Sequence, residues 1–332
     1  MLMKLKNIKK IVIFRALQIG DMLCAIPAIK ALHHAYPDAE ITLVGLPWAT
    51  MLIERFPKYF HSLITFPGYP GFPEQPVDDF AFTDFLKKVQ QENFDLALQM
   101  HGSGTISNSL VDLFAAKNTA GFYTKNQFCP NKELFIEYPG NIHEIKRHLK
   151  LIETLGITEF TTDLEFPITE KDLEDFEKAA LQVIPNEYVI LHPGARGVNR
   201  QWDPENFAAI GDYCFENGLQ VVITGTKDEM PIVENVMQQM KYEPIIAAGK
   251  TSLGTVAVLI RNAAALVSNC TGVSHIAAAL KTKSIVISLD PEPYRWGPLN
   301  KSLHTTIDWN TNADLNNVRR ELKALLYTSF IV

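Results

Sequence analysis

The chain has 332 residues, with 31 Lys and Arg against 37 Asp and Glu, a net charge of −6, and 47% hydrophobic residues. That composition excludes a disordered polymer, and the length suits two domains of roughly 150 residues each. The acidic balance gives no reason to expect a nucleic-acid polymer as partner, because phosphate neutralisation shows as a basic excess.

The N-terminus, MLMKLKNIKKIVIFRALQ, sets lysines before an apolar run, but Ile11 to Phe14 is broken by Arg15, well short of the ~7–15 apolar residues of a secretory h-region. No stretch reaches the ~18 apolar residues of a membrane span. Cys24, Cys129, Cys214 and Cys270 are scattered, with no CxxC pair, as reduced cytosolic thiols would be. The expectation is a soluble cytoplasmic protein. Lys4, Lys6, Lys9 and Lys10 could touch anionic lipid of the inner membrane at ~1 kcal/mol per charge, although such lysines are usually just solvated.

Short apolar, β-branched runs alternate with helical patterns along the chain. Ile11–Phe14 reads as a buried strand, followed by a loop and a helix through PAIKALHHAY; Ile41–Gly45 is the next strand. The Pro- and Phe-rich stretch 66–85 reads as an irregular surface loop before a helix, and Phe94–Met100 as a further strand. After LEFP, the amphipathic ITEKDLEDFEKAALQVI opens a second set, with strands at Tyr188–His192, Leu219–Thr224, Leu266–Asn269 and Ser284–Ser288. Buried strands alternating with helices imply an α/β protein with parallel sheets. A domain boundary is expected between residues 160 and 185, and ligands outside the carboxyl ends of the strands, in a cleft between the domains.

Each strand-loop junction is therefore a candidate site. In RALQIGDMLC, Gly20 permits a tight turn and Asp21 either caps the following helix or presents a general base. HGSGTIS, from His101 through Gly102 and Gly104, resembles a dinucleotide fingerprint without its last glycine or a downstream acid; a substrate-lining loop is the better reading. In LHPGARGVNRQW, Gly194 and Ala195 let backbone approach a ligand, and Arg196 and Arg200 suit a diphosphate. After Thr224, Asp228 or Glu229 could accept from ribose hydroxyls or cap a helix. In SNCTGVSHIAAAL, a strand ends at Asn269 and a helix starts after Thr271 and Gly272, so its free N–H groups, with the Thr271 and Ser274 hydroxyls, make a phosphate site; His275 donates to the same anion or caps the helix. There is no GxxxxGK[ST], GxSxG or DxD, and the His143 and His148 spacing in HEIKRH is unlike HExxH. No metal site is expected.

In their order, IGDML, LHPGAR before a Trp, TG followed by DE, and SNCTGVSHIAAAL resemble glycosyltransferase family 9, the lipopolysaccharide heptosyltransferases that include the ADP-heptose enzymes. The resemblance spans nearly the whole chain, including EIKRHLKLIETLGI. It implies a GT-B fold of two Rossmann-like domains facing a cleft: an acceptor domain over 1–165, a nucleotide-sugar domain over 170–314, and a last helix, 315–328, crossing back to the first. It implies inverting, metal-independent transfer from a nucleotide diphosphate sugar to a glycan or lipid-linked saccharide, with no cofactor. Asp21 would be the base, and Arg200 would stabilise the leaving group. Gly20, His101 and Gly102 would lie on the acceptor side. His192, Gly194, Ala195, Arg196, Thr224, Asp228, Glu229, Asn269, Thr271, Gly272, Ser274 and His275 would hold the donor.

Two positions depart from the family pattern. Arg200 stands where Lys is common, and Cys270 where many members have Asp; either Asn269 then supplies the polar contact or the donor sugar differs from heptose. An epimerase or hydrolase on the same scaffold, and a non-catalytic nucleotide-sugar binder, are the competing expectations.

Overall fold

The computed structural model describes residues 4–327, so the ends of the expected first domain and of the expected last helix, residues 1–3 and 328, lie outside the described residues. Two compact units meet in sequence at Asp163 and Leu164.

In the first unit, β1 (Lys10–Phe14), α1 (Ile19–Ala35), β2 (Glu40–Gly45), α2 (Thr50–Arg55), β3 (Ser62–Thr65), α3 (Asp79–Gln91), β4 (Leu96–Gln99), α4 (Ser107–Asp112), β5 (Asn118–Tyr123), β6 (Phe135–Glu137) and α5 (Glu144–Thr154) follow one another. The strands form one parallel sheet in the order β3-β2-β1-β4-β5-β6. β1 lies centrally, with Ile13 opposite Leu43 on one side and Leu98 on the other. It is buried on both faces, which is why its run is continuously apolar.

The second unit contains α6 (Glu170–Lys178), β7 (Tyr188–His192), α7 (Pro204–Glu216), β8 (Gln220–Ile223), α8 (Met230–Gln239), β9 (Ile245–Ile246), α9 (Leu253–Asn262), β10 (Ala265–Asn269), α10 (Gly272–Ala279), β11 (Ser284–Ser288), α11 (Pro293–Trp296), β12 (His304–Asp308) and α12 (Leu315–Tyr327). Its parallel sheet runs β12-β11-β10-β7-β8-β9. Counted from each unit's first strand, both sheets have the Rossmann order 3-2-1-4-5-6. The reversal of strand order falls between β1 and β4 in one unit and between β7 and β10 in the other. Ligand sites of such sheets lie at the carboxyl ends of those strands.

Two expectations change. The 66–85 stretch is neither wholly irregular nor wholly surface: Asp78 accepts from Ala81 N and starts α3, while Phe66 and Phe85 are buried with Phe14 and Phe114. Gly20 makes no turn; it is the second residue of α1, which begins one turn earlier than its apolar pattern suggests. The buried stripe of α12 packs within the second unit. Val318, Leu322 and Leu325 form an i, i+4, i+7 stripe packed with Trp202, Phe207, Ile285 and Ile287, each burial contributing roughly 1.5–3 kcal/mol.

Three of the four N-terminal lysines, Lys4, Lys9 and Lys10, contact the first unit's own surface. Lys4 donates to Ala35 O and lies over the Tyr36 ring, Lys9 pairs with Asp38, and Lys10 with Glu92. Among the described residues no helix is long and apolar enough to cross a membrane.

Candidate active site

At the β1/β4 reversal, the chain leaves the sheet through Arg15 and enters α1. Arg15 is 1% exposed, and all three nitrogens of its guanidinium donate hydrogen bonds. Nε and one terminal nitrogen donate to Asp21 O at 3.1 and 2.8 Å, and the other terminal nitrogen donates to Met100 O. The Asp21 carboxylate, in the first turn of α1, lies 3.9 Å from the same guanidinium and its side chain keeps 27% exposure. A carboxylate there is favoured by the helix's positive end.

His101 follows β4. Its Nδ1 accepts from Ala16 N at 3.2 Å, so the neutral ring carries its proton on Nε2, which lies 3.6 Å from Glu74 Oε1. The ring stacks on Phe14 and meets Phe72 edge-on. Glu74, His101, Gly102 and the 103–107 loop line a pocket of about 180 Å³. Gly102 and Gly104 both have positive φ, and a Cβ on Gly104 would come within 2.1 Å of Phe122 O, so only glycine allows the loop to lie on β5.

At the β7/β10 reversal, Asn269 organises the site from beneath. It is wholly buried; Oδ1 accepts from Trp202 N at 2.9 Å, and Nδ2 donates to Pro193 O and Gly194 O. This commits its amide to holding the 193–202 loop. Arg200 then sits 3.2 Å from Asp290 Oδ2, and its NH2 lies 3.5 Å from Cys270 O. Arg196 is exposed beyond the loop. Gly197, at φ +97, supplies the positive φ that the bend requires.

Gly194 lies under Glu229: a Cβ there would fall 2.1 Å from the Glu229 carboxyl carbon. Glu229 accepts from Thr226 N at 2.7 Å and lies 4.0 Å from His192 Nε2, so it faces the site and is not a side-chain cap of α8. His192 Nδ1 shares a 2.9 Å hydrogen bond with Thr224 Oγ1. Burial holds the His192 imidazole below its ordinary range, with Glu229 acting in the opposite sense. Asp228 is exposed at the same turn, and Ala195 O accepts from Gln201.

Thr271 and Gly272 open α10, whose first-turn N–H groups form a positive end. The Ser274 hydroxyl donates to Thr271 O at 2.7 Å and so closes that turn. His275 is buried against Trp296. Burial pushes the Cys270 thiol up to about 12, with Arg200 opposing and Asp290 reinforcing; it is a neutral group at physiological pH. Asp290 is thus the carboxylate beside Arg200, contributed by the end of β11. Among the described residues no group of three or more His, Cys, Asp or Glu side chains is placed to hold a metal ion.

The structure brings together Gly20 and Asp21 at one sheet reversal, His101 and Gly102 at the same reversal, and the 192–200 and 269–275 segments at the other. Sequence reasoning missed Arg15, Glu74 and Asp290. Arg15 had a signal: a lone charge directly after a buried strand. Asp290, a common turn residue in LDPEP, had none.

Residues 82–325 match the model of glycosyltransferase family 9 (heptosyltransferase). Lipopolysaccharide heptosyltransferase 3 of Escherichia coli K12 is 24% identical over 86% of this chain and 83% of that protein. A family 9 glycosyl transferase from Veillonella parvula superposes with a TM-score of 0.77 at 19% identity, covering 97% of this chain and 98% of the other. The E. coli ADP-heptose heptosyltransferase II gives 0.72 at 19% identity, covering 96% and 98%. The fold is the expected α/β, GT-B type with two Rossmann-like units. With a family match across most of its length, joined to this pair of sheets, the chain belongs to glycosyltransferase family 9 and is a glycosyltransferase.

Proposed function

We propose that this glycosyltransferase moves a heptose from ADP-heptose onto a saccharide of the lipopolysaccharide core, with inversion and without a metal. Work on a lipid-linked acceptor places it at the cytoplasmic face of the inner membrane. The donor is suggested by the relatives, which are heptosyltransferases and include an ADP-heptose enzyme. One observation carries the reading for this chain: Arg200 and the start of α10 converge at the β7/β10 reversal, where Asn269 holds the small-residue loop.

In this reading a diphosphate lies against the Gly194–Ala195 backbone, the α10 N-terminus and Arg200. Negative charge grows on the diphosphate as the sugar leaves, and those groups stabilise it more than the ground state. Glu229 accepts hydrogen bonds from ribose or sugar hydroxyls. On the first unit Asp21 removes the proton from the acceptor hydroxyl as its oxygen bonds to the anomeric carbon, a role contributing roughly 10²–10⁴-fold. His101 and Gly102 line the acceptor side.

Thermal unfolding with ADP, UDP, GDP, CMP or NAD tests the donor assignment. ADP at ~100 times its dissociation constant adds about 2.7 kcal/mol, a shift of a few degrees. The shift should come with ADP and disappear in Arg200→Ala. A shift with NAD alone contradicts the reading.

A further inference from the structure

Behind Asp21 lies a buried set of charges that the proposed donor site does not include. The HEIKRH segment, which lacks a metal-binding spacing, supplies it from the start of α5. Glu144 faces Arg15 at 3.4 Å, receives a hydrogen bond from Arg147 Nη1, and lies 3.2 Å from His148 Nε2. The side chains of Arg15, Arg147, His148 and Glu144 are only 1–5% exposed. Burial, reinforced by Arg15, pushes His148 down to about 4, so it is neutral at physiological pH. Two arginines then balance two carboxylates, Glu144 and Asp21. Asp21 alone among the five is substantially exposed. A buried ionic group is a weak source of stability, because desolvation offsets its attraction. Its exposed member is the candidate base.

We propose that Glu144 is a positioning residue for the transfer reaction: it holds Arg15, and Arg15, through its paired hydrogen bonds to Asp21 O, holds the first turn of α1 and the Asp21 carboxylate. The inference rests on the reading of Asp21 as the base. Glu144 touches no substrate. It fixes a guanidinium whose other partners, Met100 O at the end of β4 and Asp21 O at the start of α1, span the two sides of the sheet reversal. Arg147 is itself anchored, by Pro139 O at 3.0 Å and by the Tyr138 ring, so Glu144 is gripped from the side away from Arg15.

The test is steady-state transfer from ADP-heptose to truncated lipopolysaccharide core, with Glu144→Gln, Glu144→Asp and Arg15→Lys, each also made in an Asp21→Asn background. Displacement of a reacting group by about 1 Å can cost ~10²-fold, so Glu144→Gln and Arg15→Lys should lower kcat about 10- to 100-fold. The donor KM and the thermal shift with ADP should be unchanged, and Glu144→Asp should restore part of kcat. In the Asp21→Asn background the same changes should cost nothing further, because residues acting as one unit are not additive. Arg15→Lys keeps the buried charge and serves if Glu144→Gln fails to fold. Equal losses in both backgrounds, or loss of ADP binding, overturn the proposal. Full activity in Asp21→Asn alone overturns the base reading, and the inference with it, while leaving the ADP shift and its Arg200 dependence intact.

Discussion

At the residue scale, the proposed donor half of the site depends on which partner each charge has. Arg200 is 39% exposed in its pair with Asp290, a setting in which an ion pair is worth about 0–1 kcal/mol. Asp290 therefore competes weakly with a diphosphate for the same guanidinium. We expect Asp290→Asn to tighten ADP binding about twofold to fivefold by titration calorimetry, in line with removing a competitor of that strength. Weaker ADP binding in the variant would mean that Asp290 supports the nucleotide and does not compete with it. The sequence shows why such pairs are hard to foresee. Arg200 and Asp290 are 90 positions apart in the numbering, and Arg15 and Glu144 are 129 apart; only the fold makes them neighbours. Asn269 was visible as a strand-end polar residue, but its direction was not, and burial turns its amide toward the loop backbone.

At the element scale, strands that bury both faces were readable, because parallel sheets require continuous apolar runs. β1, β7 and β11 are of this kind. β3 (SLIT), β5 (NTAGFY), β6 (FIE), β9 (II) and β12 (HTTID) were not read; they are short, polar or glycine-bearing, and their pairing comes from the neighbouring strand. In β12, His304 is buried and shares a 2.8 Å hydrogen bond with Ser284. Burial, aided by Lys301, pushes its pKa down to about 4, as it does for His148 in α5. The unfolded chain holds these protons near 6.5. Between about pH 6.5 and 4 it therefore binds more protons than the native state, and stability falls as pH is lowered through that window. Each histidine contributes on the order of 3 kcal/mol at the acid end. His304→Asn should flatten the fall in melting temperature between pH 6.5 and 4.5 relative to wild type. An unchanged slope would show that His304 does not contribute.

At the scale of the whole molecule, two Rossmann-like units share one strand order, and the proposed function divides the chemistry between them. The first offers a carboxylate and the glycine loop at its reversal; the second offers the arginine, the small-residue loop and the start of α10. The alternation of strands and helices and the order of motifs were enough to indicate two such units and the family. The amphipathic stripe of α12 says that it packs but not on what; Ile285 and Ile287 of β11 are among the residues that receive it. The same division lets proton removal be separated from donor binding. In the proposed reaction Asp21 is the base of a sugar transfer whose donor is held by the second unit. This assignment is tested most directly by measuring kcat with ADP-heptose and truncated lipopolysaccharide core, together with ADP affinity, for wild type and Asp21→Asn. The expected result is a loss of roughly 10²–10⁴-fold in kcat with ADP affinity unchanged. An Asp21→Asn enzyme that turns over within a factor of about two of wild type, where a working base gives far more, would contradict it.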